Sequence, residues 1–223
     1  MTAEVIRDMQ NAGDPDVPHT EVVKLDLLRE QDFGSFERTP WAPKLLSLGD
    51  RKIPGPENPG FKPKETPESI AERADTFLST YLLPILADPP SSAAAVAIVA
   101  HGVILAVLWR RWLALFGRKA FSFDPRIRIR STSRPLELLP VWSNTGYLEL
   151  HARKPAIGEK VAPDSGPKIP SSVSPAAPRG WKMVIIQINC TDHLVNLKRA
   201  RGGLGSARFD KKQKKLEGFF KRA

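Results

Sequence analysis

From Ala93 to Leu115 the chain reads AAAVAIVAHGVILAVLWRRWLAL, two apolar runs parted by one histidine and one glycine. The first, Ala95 to Val99, mixes small and β-branched residues and predicts a strand buried on both faces. The second, Val103 to Phe116, has the length and composition of a buried helix, and Gly102 permits a tight turn between the two. His101 then stands where a strand ends and a helix begins, a place where free backbone N–H groups bind anions. A histidine simply packed in a core is the competing reading. A membrane span from Ala93 to Trp109 is disfavoured, because His101 interrupts it and Arg110 and Arg111 close it short of the roughly 20 apolar residues a span needs.

The same reading carries along the chain. Thr2 to Met9 has helical spacing, and Glu21 to Leu28 alternates loosely as a short strand before a loop at Gly34. Seven prolines between Pro40 and Pro67 make Thr39 to Thr66 an irregular excursion of the kind that serves as a lid or insert. Thr66, Pro67 and Glu68 form a helix start, with a capping hydroxyl, proline at the first position and an acid in the first turn. Ile70, Ala74, Phe77, Leu78, Tyr81 and Leu82 then mark one apolar face as far as Pro84. Phe123 to Pro140 reads equally as an irregular arm or an edge ribbon. WSNTGYLELHA and WKMVIIQIN are strand-like, and Lys154 to Gly180, rich in Pro, Ser, Ala and Lys, reads as a flexible connection.

Composition adds little until charge is located. With 41% apolar and 26% charged residues, the 223-residue chain can bury one core. Cys190 is its single cysteine, so an intrachain disulfide is excluded, and His19, His101, His151 and His193 lack metal-ligand spacing. No metal and no cofactor are therefore expected. The first residues have no basic stretch followed by an apolar one, so secretion is not signalled and an intracellular, cytoplasmic or nuclear, location is expected. From Lys198 to Ala223 ten basic residues face only Asp210 and Glu217, a net +8 of the chain's +10. The body is near neutral and the basicity belongs to a tail.

Four segments, in order, resemble the histidine phosphatase superfamily, the phosphoglycerate-mutase-like proteins. MTAEVI (Met1 to Ile6) resembles the helix start after the family's R-x-x-Q-T-A segment, and LREQDFG (Leu28 to Gly34) its L-x-E-x-x-x-G segment. PESIAERADTFL (Pro67 to Leu78) resembles its Glu-Ser helix, and VAIVAHG (Val96 to Gly102) the strand that ends in its second histidine. WSNTGYLEL, with Asn144, is similar to the strand that follows. The resemblance implies an α/β fold, a three-layer α/β/α sandwich, acting on phosphomonoesters through a phosphohistidine. It implies His101 as the second histidine, Glu30 as proton donor, and the N–H groups of Gly102 and Val103 as part of the phosphate cradle. The substrate class it implies is a phosphorylated small molecule or phosphoprotein.

One part of the family pattern is missing. No Arg-His-Gly occurs in the sequence, so the resemblance implies either a truncated form, the favoured reading, whose nucleophile and two phosphate-binding arginines would lie upstream of Met1, or a natural remnant that keeps the scaffold for another purpose; in both the chain is expected to be inactive or nearly so. The expected organisation is a phosphatase-like domain over residues 1–153 with an insert at 39–66, a linker at 154–180, a returning strand at 181–190 and a basic tail at 191–223.

The tail supports a rival reading, a non-catalytic interaction protein. Gln213, Leu216, Phe219 and Phe220 resemble the short motif that docks on the sliding clamp, proliferating cell nuclear antigen, through one helical turn in a groove, with the flanking lysines steering it. An amphipathic terminal helix folded back on the domain is the alternative for the same residues, and a basic tail can also contact nucleic acid through phosphates alone. A peptide spanning Asp210 to Ala223 is expected to bind the clamp with a dissociation constant on the order of tens of micromolar or tighter, and to lose binding on Phe219→Ala or Phe220→Ala. Calorimetric titration decides it.

Overall fold

Local sequence rules account for most of the elements of the computed structural model, which describes residues 2–12, 21–37, 55–88, 95–127, 135–139, 141–154 and 180–195. By its contacts the chain divides after Cys190. In the first unit the helices are α1 (Thr2–Asn11), α2 (Pro67–Phe77), α3 (Leu83–Ala87) and α4 (Gly102–Phe116). The strands are β1 (Phe121–Phe123), β2 (Tyr147–Arg153) and β3 (Lys182–Cys190). They form one mixed sheet in the order β1-β3-β2, with β1 parallel and β2 antiparallel to β3. The fold is α/β. In the second unit the described residues contain one 3-10 turn, Asp192–Leu194. The segments at 155–179 and 196–223, and with them the linker and the clamp-like motif, lie outside the described residues.

Helix α2 begins as its sequence dictates. Thr66 Oγ1 accepts a hydrogen bond from Ser69 N at 3.2 Å, and Pro67 occupies the first turn, where its missing N–H costs nothing. Ile70, Ala74 and Phe77 bury one face. That face meets α4, from which Ile104, Val107, Leu108, Trp109, Trp112, Leu113 and Phe116 enter the same core, joined by Met183 and Ile185 of β3. Two polar contacts fix the seam around this apolar packing. Arg111 of α4 forms a two-armed ion pair with Asp75 of α2, and Trp109 Nε1 donates to Leu136 O at 2.8 Å. Gly117 ends α4 at φ 74°, a backbone angle that a side chain would strain, while its N–H still bonds Leu113 O.

In three places the structure departs from the sequence expectation. Ala95–Ala100 is not a strand. It makes no ladder, and Val96 and Val99 are exposed, because among the described residues no neighbouring strand offers it a hydrogen-bonding edge. Glu21–Leu28 is likewise no strand but an extended stretch ending in a 3-10 turn, Asp26–Leu28. The helix after Thr66 does not stop at Pro84. It widens into one π turn, Leu78–Leu82, with Leu83 N bonded to Leu78 O, and restarts as α3, so that Pro84 sits in a first turn where no N–H is needed.

Between α2 and the preceding chain, Gly34 adopts φ 55° and passes so close to the carbonyl oxygens of Lys62 and Pro63 that a side chain there would collide with them. Ser35 N donates to Lys62 O at 2.9 Å and Lys62 N to Ser35 Oγ at 2.8 Å, which ties residues 31–37 to the segment leading into α2. At the far end of the sheet, Asn189, itself at φ 47°, grips the turn before β2. Its Oδ1 accepts from Ser143 N at 2.8 Å and its Nδ2 donates to Ser143 Oγ at 2.9 Å.

Ile104 is fully enclosed where α4 meets the core. Ile104→Ala is therefore expected to cost about 2–5 kcal/mol and Ile104→Val about 0.5–1.5 kcal/mol, read from the shift of the urea unfolding midpoint.

Candidate active site

The amino end of α4 carries two donors that its own sequence leaves unsatisfied. His101 is the residue before the first turn, with extended backbone, and its side chain makes no capping bond; no acid lies in the first turn. The first N–H groups of such a helix need an outside acceptor and attract negative charge. Glu30 supplies it from more than seventy positions away. Val103 N donates to Glu30 Oε2 and Ile104 N to Glu30 Oε1, each at 3.3 Å, and Glu30 Oε1 also accepts from Gln31 N at 2.9 Å.

Four of the residues singled out in the sequence are thus brought to one place. Glu30 is half-buried, His101 and Gly102 are exposed, and Val103 is half-buried. A side chain added at Gly102 would meet open space. His101 O closes the first helical bond, from Leu105 N at 3.0 Å, while its imidazole has no hydrogen-bond partner among the described residues. Chemically this is a helix terminus that holds an oxyanion through two backbone donors, with a solvent-facing imidazole one residue before them. The four tail residues, Gln213, Leu216, Phe219 and Phe220, fall outside the described residues. Among the described residues, no group of three or more His, Cys, Asp or Glu could hold a metal ion. No described helix is long and apolar enough to cross a membrane.

Two further residues beside this site, Glu65 and Arg73, were not named as site residues from the sequence, although Arg73 is the arginine of the PESIAERADTFL segment. Glu65, whose side chain is 5% exposed, receives both Nε and Nη2 of Arg73, each at 2.8 Å, on its two carboxylate oxygens. It also accepts from Ser69 Oγ at 3.0 Å, Asp32 N at 3.2 Å and Arg29 Nη2 at 3.3 Å. The remaining Arg73 nitrogen, Nη1, donates to Leu27 O at 2.7 Å and Arg29 O at 3.1 Å. Glu65 N donates to Asp32 O at 2.7 Å, and Gln31 Nε2 to Glu65 O at 2.8 Å. The Arg73 side-chain bonds hold the Glu65 carboxyl down at about 2, against the opposing effect of its burial, with the Asp32 amide and Ser69 hydroxyl assisting. A glutamate just before a helix cap and an arginine eight residues on is a faint local signal. The carbonyls that Arg73 also serves lie 44 and 46 positions upstream, beyond any local pattern.

The model of the histidine phosphatase superfamily (branch 1) matches residues 2–127, a stretch that contains Glu30, Glu65, Arg73 and His101 to Val103. No curated protein and no solved structure matches the chain.

The lowered Glu65 value sets a pH dependence. A carboxyl depressed on folding adds stability that is complete above its unfolded value, near 4.5, and drains away as the pH falls towards about 2. Glu65→Gln should therefore cost on the order of 2 kcal/mol at neutral pH, less than the full shift because the exposed Arg29 arm is screened by solvent, and should flatten stability across that acid window. Urea unfolding of both proteins at stepped pH checks this. Parallel curves through the window would contradict it.

Proposed function

Because the chain belongs to the histidine phosphatase superfamily, we propose that its phosphatase-like domain binds a phosphoryl group against the His101–Gly102–Val103 turn and that the 223-residue chain does not itself turn phosphomonoesters over. In this reading His101 lends its imidazole to the phosphate oxygens, Gly102 and Val103 lend their N–H groups, and Glu30 stands where the family's active members carry the acid that protonates a leaving oxygen. The observation that carries it is the Glu30 carboxylate on Val103 N and Ile104 N. Residues remote in sequence meet at a helix terminus that already holds an oxyanion.

The inactive half of the reading rests on chemistry. Phosphoryl transfer through histidine needs a neutral imidazole in line with the phosphorus and cations to neutralise the charge that develops. The family's nucleophile is the histidine of an Arg-His-Gly, and that tripeptide is absent from these 223 residues. A domain that binds a phosphoryl group without cleaving or transferring it acts as an interaction module on phosphorylated small molecules or phosphoproteins, and the clamp-like tail motif is compatible with such a role.

The chain is expected to show no hydrolysis of para-nitrophenyl phosphate above the buffer rate, while inorganic phosphate shifts the Gly102 and Val103 amide resonances. His101→Ala should weaken that response roughly tenfold, the order expected when a charge-assisted hydrogen bond is lost. Hydrolysis abolished by His101→Ala would overturn the inactivity; hydrolysis that survives it, or amides indifferent to phosphate, would overturn the site.

A further inference from the structure

Glu30 reaches α4 from a segment that forms neither α-helix nor strand of its own, only the 3-10 turns Asp26–Leu28 and Gly34–Phe36. Something else must fix it, since an irregular backbone left to itself samples many conformations and each ordered residue costs about 1–2 kcal/mol. Beside the Ser35–Lys62 bonds further along, the bonds that flank Glu30 on both sides lead to one pair. Arg73 takes the carbonyls of Leu27 and Arg29 before it. Glu65 takes the amide and carbonyl of Asp32 after it, and the Gln31 side chain as well. Neither Glu65 nor Arg73 makes a hydrogen bond to Glu30, to His101 or to any residue of α4.

We propose that Glu65 and Arg73 are positioning residues, whose two-armed pair fixes the Leu27–Asp32 segment and thereby holds Glu30 against the Val103 and Ile104 amides. The pair is suited to this because a guanidinium presents donors in a rigid fork. Two nitrogens of Arg73 engage the carboxylate and the third serves two carbonyls, a division that a lysine ammonium cannot reproduce. The site lies at the end of α2 that the apolar face Ile70, Ala74 and Phe77 fixes against α4, so the clamp stands on a rigid base. Its functional meaning rests on the reading of Glu30 as a site residue; its physical content does not.

The test uses amide hydrogen exchange of the full chain, with no phosphate present. Val103 and Ile104 lie in a first turn without intrahelical acceptors, so their protection reports the Glu30 contact directly. Glu30→Gln is expected to speed their exchange roughly tenfold, as expected for a weakened charge-assisted bond. Arg73→Gln should do the same, and the double variant should add nothing further, because both act on one contact. Arg73→Gln that leaves the two amides protected, or that multiplies the Glu30→Gln effect, would overturn the proposal.

Should Arg73→Gln fail to fold, Arg73→Lys decides by the same rule. It keeps a charge beside Glu65 but loses the fork, and it should speed the two amides several-fold without adding to Glu30→Gln; unchanged amides would overturn the proposal. This outcome is separable from the phosphate reading. Coupled exchange with no response to phosphate would remove only the binding site, whereas a phosphate response with Arg73-independent exchange would remove only the clamp.

Discussion

The bidentate contact between Arg73 and Glu65 is the interaction on which the arrangement of this domain turns. Arg73 lies on α2, whose Ile70, Ala74 and Phe77 enter the core shared with α4. Apolar packing and the Asp75–Arg111 pair set the two helices against one another. The Leu27–Asp32 segment then bridges from the clamp on one helix to the bare amino end of the other. Removing Arg73 would leave the Glu65 carboxylate and the carbonyls of Leu27 and Arg29 short of donors, and removing Glu65 would leave the Arg73 guanidinium short of acceptors, which in a nearly closed site is the costly kind of loss.

The domain is held firmly on one side of its site and openly on the other. Before His101, Ala95–Ala100 runs extended with no strand beside it among the described residues, and its valines face outward. An unpaired apolar edge is a hazard for association. It also means that His101 takes its place from the helix behind it rather than from a sheet beneath it. The imidazole is accordingly exposed, whereas the amides one and two residues beyond Gly102 are pinned by Glu30.

Elements whose causes are local were legible in the sequence. Thr66, Pro67 and Glu68 announce α2, and the long apolar run announces α4. What misled was pattern without partners. Ala95 to Val99 has the composition of a buried strand, but a strand exists only through its neighbours' hydrogen bonds. Glu21 to Leu28 alternates as a strand does, yet its Leu27 carbonyl is drawn to Arg73 instead of to a ladder. Pro84 is a fair stop signal that a π turn, which no periodicity shows, converts into a permissible first-turn position. The Glu65–Arg73 clamp was unreadable for a related reason: six of the nine bonds described for it join positions more than thirty residues apart.

The carboxylate at α4 also constrains how a phosphate could be received there. Two anions on one pair of donors repel, and a low-dielectric setting strengthens the repulsion. On the proposed reading, an arriving phosphoryl group must therefore displace Glu30 from the Val103 amide. The clamp then matters twice, because a carboxylate on a fixed segment would give up that amide and stay beside the arriving group, whereas one on a loose segment would swing away to solvent.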